Sequence, residues 1–211
     1  MSERREFPVP WIQIPKDNRE LQERYDTWAQ GYENHMQEVF GYILPQRGAE
    51  LLAKHLPDRK SLILEAGTGT GLVGTFLSQY GYSNLVGIDL SPGMLEEARA
   101  KKVYGELHCM TLGEALEFPS RRFDGVVSIG VLTQGHAPAS ALDELVRVTR
   151  PGGIILFSMR QDTYEKWGFQ AKQEALIAAD RWRLLEVTAD FQGMPEGEPE
   201  SLHRVYVYGV Q

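Results

Sequence analysis

An α/β fold is the architecture this sequence predicts: a doubly wound, mostly parallel sheet of seven strands with an antiparallel last strand and extra helices at the N-terminus. Three observations carry it. Short apolar runs alternate with helix-length segments from residue 61 onward, the first run ends in a glycine-rich turn, and the last two runs have no helical segment between them. Strands separated by helices require right-handed crossovers and a parallel sheet covered on both faces. Two successive strands joined by a turn are antiparallel.

Taken in order, Pro8, Pro10 and Pro15 forbid a regular helix, so residues 1–16 read as an extended arm. Asp17 followed by Glu20 is a capping pair, and the stretch to about Tyr42 reads as two short helices interrupted near Gly31. Pro45 opens a third, ending near Leu56. Strands follow near 61–66, 84–89, 105–110, 123–129 and 153–159, with helices near 71–80, 92–102 and 138–148. A helix near 163–180 leads to a strand near 182–190, and alternation in Arg204-Val205-Tyr206-Val207-Tyr208 marks the last strand. Gly193 to Ser201 is a turn-rich connection. Residues 17–211 are expected to form one domain, with 17–56 as its helical front end.

Composition narrows the function. With 211 residues, 42% hydrophobic and 24% charged, the chain suits one globular domain that needs no staple. A net charge of −7 repels polyanions, so nucleic acid is not an expected partner; a small molecule or a protein is. The single cysteine, Cys109, has no internal disulfide partner and no second ligand at zinc spacing, so no metal and a reducing, cytoplasmic setting are expected. No 18 apolar residues stand together, so no membrane span is expected either. Nothing in the composition fixes the oligomeric state.

The strongest chemical signal is Glu65-Ala66-Gly67-Thr68-Gly69-Thr70-Gly71, where the first strand gives way to a helix. Glycines there let the backbone turn sharply and approach a ligand closely. Gly69, Gly71 and Gly74 also satisfy G-x-G-x-x-G, the dinucleotide fingerprint, but in an offset register. Glu65 weighs against that reading, because a carboxylate repels a pyrophosphate and attracts the ammonium and sulfonium of S-adenosylmethionine. Asp89, about 20 residues on at the end of the second strand, is placed to accept both ribose hydroxyls; the alternative is a helix-capping role shared with Ser91 and Pro92.

These residues resemble the class I S-adenosylmethionine-dependent methyltransferases. The likeness runs from about residue 20 to 160 through Glu65–Gly71, Gly87–Arg99, Phe123-Asp124-Gly125-Val126-Val127 and Arg150-Pro151-Gly152-Gly153. Tyr25–Ala29, Thr111–Gly113, Gly130–Gly135 and Ala141–Leu145 extend it towards the family's methyltransferase-like members. The resemblance implies a Rossmann-like fold, S-adenosyl-L-methionine as cofactor and S-adenosyl-L-homocysteine as product. It also implies roles. Gly67, Thr68, Gly69, Gly71 and Leu72 would line the methionine and ribose, Asp89 the ribose hydroxyls, and Leu90 and Met94 the adenine. Ile129, Gly130 and Val131 would form the floor beneath the methionine. Many relatives carry an aspartate after the third strand; here that place holds Leu112, so backbone groups of Leu112 and Gly113, with Thr111, would meet the adenine edge.

Two further features bear on chemistry. Tyr25, Trp28, Tyr32 and His35 recur at spacings of three and four, which gives one helix an aromatic face that is either a core stripe or, as in similar enzymes, a lid over the cofactor. His136, in the loop Thr133-Gln134-Gly135-His136, is the candidate catalytic base, with a solvated loop histidine as the alternative. The fourth strand leads into Ser128-Ile129-Gly130-Val131, without the Asp/Asn-Pro-Pro-aromatic sequence that holds an extruded nucleobase. A non-catalytic cofactor-binding protein and a dinucleotide-dependent oxidoreductase are the other readings.

Overall fold

The computed structural model describes residues 15–133 and 135–211, with the backbone alone at Thr163. All but the last two residues of the expected arm lie outside the described residues. The chain begins with helices α1 (Asn18–Glu38) and α2 (Leu44–His55), followed by β1 (Ile63–Ala66), α3 (Leu72–Gln79), β2 (Leu85–Asp89), α4 (Pro92–Ala100) and β3 (Glu106–Cys109). Next come β4 (Phe123–Ser128), α5 (Ala141–Val148), β5 (Thr149–Arg160), α6 (Gln161–Tyr164), α7 (Phe169–Ala178), β6 (Trp182–Val187), β7 (Phe191–Gln192) and β8 (Leu202–Val210). The sheet order is β3-β2-β1-β4-β5-β8-β6, and the short β7, which the sequence pattern did not announce, pairs with β8.

Strands β1 to β5 pair in parallel, and β8 runs antiparallel between β5 and β6. The order reverses at β1 and β4, and in such sheets the crevice beyond the strand ends at the reversal is where ligands sit. Both faces are covered because the central strands are apolar throughout. Leu64 faces a core with Leu142 and Leu145 of α5, and its neighbour Ile63 faces the opposite core with Leu52 of α2 and Leu77 of α3. Each such side chain contributes roughly 1.5–3 kcal/mol by burial.

Three expectations are corrected. Instead of two helices broken at Gly31, α1 is continuous: the Asp17 side chain accepts from Glu20 N at 2.8 Å, and one face buries Leu21, Trp28, Ala29 and Met36. That burial outweighs the roughly 1 kcal/mol that a helical glycine costs. The helix expected near 163–180 divides into α6 and α7, because Gly168 adopts φ +76 and ends the first turn. A cysteine within a strand is expected to be buried, but Cys109 is exposed, since β3 is an edge strand of the sheet.

Candidate functional site

The turn after β1 is held from two sides. Gly67 N and Thr68 N both donate to Ile88 O at 2.9 Å, and the Thr68 hydroxyl donates back to Glu65 O at 3.1 Å. Gly67, Gly69 and Gly71 take φ of +83, +53 and +91, the left-handed region that glycine enters without strain. They serve different ends. A Cβ on Gly67 would collide with Val131, and one on Gly71 would press on Tyr104, whereas one on Gly69 would meet nothing within 4 Å. Gly69 faces open space.

That space is a cleft of about 840 Å³, including volume open to solvent. Its floor is the turn itself, with Glu65, Gly67, Thr68, Gly69 and Leu72. One wall is Asp89, Leu90, Met94, Thr111 and Leu112; the other is Ile129, Gly130, Val131 and His136, and Tyr25 and Tyr32 close it from α1. Three anticipated contacts fall elsewhere. Trp28 lines an adjoining cavity, Gly71 seats Tyr104, and Gly113 lies against Pro138. Tyr42 and Met110 line the cleft without having been singled out in the sequence.

Two carboxyl groups set the electrostatics of the cleft. Glu65 is 2% exposed; burial pushes its carboxyl up to about 8, although Tyr104 Oη donates to it at 2.7 Å and the Gly74 amide also bonds it. Asp89 is also raised, chiefly by burial. Its Oδ2 accepts from Gly69 N at 2.7 Å and its Oδ1 from Ser91 N at 3.0 Å. Asp89 thus fastens the turn to the start of α4, but it is Ser91 that caps this helix, accepting from Met94 N at 3.0 Å. Ser91 in turn donates to Asp26 Oδ1 of α1 at 2.6 Å, and Gly93 N donates to the same oxygen at 2.8 Å. Helix α1 is therefore tied directly to the loop that carries Asp89.

On the opposite wall His136 Nε2 and Tyr25 Oη are hydrogen-bonded at 2.8 Å, their rings edge to face. This pair stands where the cleft meets the second cavity, of about 680 Å³ including open volume; both spaces are lined by Tyr25, Tyr32, Tyr42, Gly130, Val131 and His136. The aromatic stripe of α1 therefore does two things. Trp28 is buried in the core, while Tyr25 and Tyr32 face the cleft.

A methyltransferase domain family matches residues 64–157, the span from β1 into β5. Methyltransferase-like protein 27 of Homo sapiens is 37% identical over 167 residues, covering 76% of this chain and 67% of that protein. The chain belongs to the class I S-adenosylmethionine-dependent methyltransferases. This methyltransferase is also similar to the 18S rRNA (guanine-N(7))-methyltransferase of Bos taurus, at 37% identity over 75 residues, 36% of this chain and 26% of that protein. That relative removes the support for excluding nucleic acid as an acceptor. Among solved structures, magnesium protoporphyrin IX methyltransferase from Synechocystis PCC 6803, with bound S-adenosylmethionine, shares the fold at a TM-score of 0.66 and 15% identity, covering 94% of this chain and 99% of that one.

S-adenosyl-L-methionine is the cofactor of this enzyme, and the cleft fits it. Gly69 leaves the space a ligand needs, and Asp89 stands beside it. Glu65 lines the same space, where a bound cation would favour the ionised form of its buried carboxyl. The oxidoreductase reading loses its last glycine, because a Cβ on Gly74 would run into the Tyr104 ring and the residue is a packing glycine. Among the described residues no cluster of metal-binding side chains occurs, and no helix is long and apolar enough to cross a membrane.

Proposed function

We propose that this methyltransferase alkylates a small-molecule or protein acceptor that enters through the second cavity, and that His136 takes the proton the acceptor loses. The observation that carries this reading is the position of the Tyr25–His136 hydrogen bond at the junction of the two spaces. S-adenosylmethionine supplies a methyl group on a sulfonium, an electrophile with its leaving group built in. The protein must align a nucleophile, keep water out and accept a proton. Leu90, Met94 and Leu112 give the cleft its apolar wall, Asp89 is its sugar-binding carboxylate, and Gly130 and Val131 separate donor from acceptor. Tyr25 holds the His136 ring with its Nε2 engaged, which orients the base. Exposed, unpaired Cys109 supports a reducing, cytoplasmic location. The relation to an 18S rRNA methyltransferase makes RNA an acceptor to include in any screen.

His136→Gln is expected to lower kcat about a hundredfold while changing S-adenosylhomocysteine affinity less than threefold. Transfer of a labelled methyl group, with whatever acceptor a metabolite and protein extract supplies, measures the first and calorimetry the second. An unchanged kcat would remove His136 from the reaction. We further place α1 as a lid. Amide exchange over residues 18–38 is expected to slow when S-adenosylhomocysteine binds, because Tyr25 and Tyr32 close the cleft. Equal protection with and without ligand would make α1 a fixed wall.

A further inference from the structure

The second cavity carries chemistry that the transfer of a methyl group does not by itself explain. Its walls are aromatic and sulfur-bearing: Trp28, Tyr32 and Met36 of α1 face Met194 from the connection before β8. Trp28 and Tyr32 meet edge to face with centroids 4.8 Å apart. Such surfaces favour flat, polarizable ligands over branched aliphatic ones. Among the described residues no carboxylate or lysine lines the space, and the one permanently charged residue there, Arg160, is engaged by Glu198 at 2.7 Å and by Asp162 at 3.0 Å. Both carboxylates compete with an acid for that guanidinium.

Among the described residues of this lining, one carries a buried nitrogen without a hydrogen-bond partner. His203 of β8 is 3% exposed, and its Nδ1 has no hydrogen-bond partner. Leaving such an atom unpaired is costly, so the position asks for a ligand or water to complete it. Its place is fixed by the sheet: His203 pairs with Arg160 of β5 on one side and with Phe191 of β7 on the other. Gly193 stands over the ring without a side chain, and a Cβ there would lie 2.9 Å from Nδ1. Burial also holds the ring well below its ordinary value, at about 4, so it is a neutral imidazole that can donate or accept one hydrogen bond but offers no charge. A hydroxyl is the group that answers either form of that nitrogen.

Resting on the reading that this cavity receives the acceptor, we infer that the acceptor is an uncharged, flat aromatic small molecule with two polar ends. One end is the nucleophile beside His136, and the other is a hydroxyl that hydrogen-bonds His203 Nδ1. The aromatic walls hold the body of the molecule, and His203 sets its register so that the nucleophile faces the cofactor cleft.

The test uses the full chain saturated with S-adenosylhomocysteine and three probes: a naphthalene carrying hydroxyls at opposite ends, its monohydroxy analogue, and a hydroxynaphthoate of the same size. Quenching of tryptophan fluorescence gives each affinity. The diol is expected to bind about tenfold more tightly than either of the others, the increment of one well-made hydrogen bond. His203→Phe should erase the difference between diol and monohydroxy probe while leaving S-adenosylhomocysteine affinity unchanged. Independently of any variant, the ¹⁵N resonance of His203 Nδ1 in the wild-type protein should move when the diol is added. Equal affinities for the three probes, an unaffected ratio in His203→Phe, or a stationary Nδ1 resonance would each overturn the proposal. Failure of the protein to bind S-adenosylhomocysteine would instead overturn the cofactor-site assignment beneath it.

Discussion

Gly69→Val is expected to abolish measurable binding of S-adenosylmethionine and S-adenosylhomocysteine while leaving the ligand-free fold in place. At φ +53 the added side chain costs roughly 1–2 kcal/mol of backbone strain, which a domain of this size tolerates. No protein atom lies within 4 Å of the new Cβ, so the isopropyl group projects into the cleft. Gly67→Val is the informative contrast, because its Cβ would strike Val131 and the lesion should appear in folding. Calorimetric titration and a thermal scan of each variant separate the two effects. Unchanged affinity in a folded Gly69→Val protein would show that this turn does not hold the cofactor.

Glu65→Gln is expected to stabilise the ligand-free protein at alkaline pH and to weaken the cofactor there. Burial raises the Glu65 carboxyl from 4.5 to about 8 in the folded state. Between those values the folded protein keeps a proton that the unfolded chain has lost. The contribution of Glu65 to stability is therefore fully present below about 4.5 and is lost as pH rises towards 8, by up to about 5 kcal/mol at 1.36 kcal/mol per unit. Glutamine stays neutral, so the difference between wild type and variant in urea unfolding should grow from pH 5 to pH 8 and then level off. A cation binding beside Glu65 favours the ionised form and expels that proton. Wild-type affinity should accordingly rise over the same interval, with proton release visible as a dependence of binding enthalpy on the buffer. A variant whose stability tracks the wild type at every pH would mean that Glu65 is ionised in the free enzyme.

Residues close together in the chain made much of this site legible beforehand. Glu65 to Gly71 and Asp89 lie at strand ends whose apolar patterns are plain, and a parallel sheet brings consecutive strand ends together. What stayed hidden depends on long-range packing. Tyr104 reaches Glu65 across 39 residues and Asp26 reaches Ser91 across 65, and neither has a local signature. Cys109 could be placed in a strand, but its exposure follows from β3 lying at the sheet's edge, which is a property of strand order. Gly31 reads as a break because local propensity says so. The buried face running from Leu21 to Met36 overrides it. Nothing local in the sequence marks His203, and only the assembled fold reveals its unpartnered nitrogen.

The seating of Tyr104 has a consequence for how this enzyme can diverge. Its ring fills the space in front of both Gly71 and Gly74, and its hydroxyl holds the buried Glu65. A mutation that enlarges residue 74 has nowhere to go until residue 104 shrinks, and shrinking residue 104 first strips the buried Glu65 of a hydrogen bond. Positions 65, 74 and 104 therefore form one unit of inheritance. Across the descendants of this chain they should be kept or exchanged together, and a lineage that loses the tyrosine should be the one in which the acidic residue and the third glycine are released to vary.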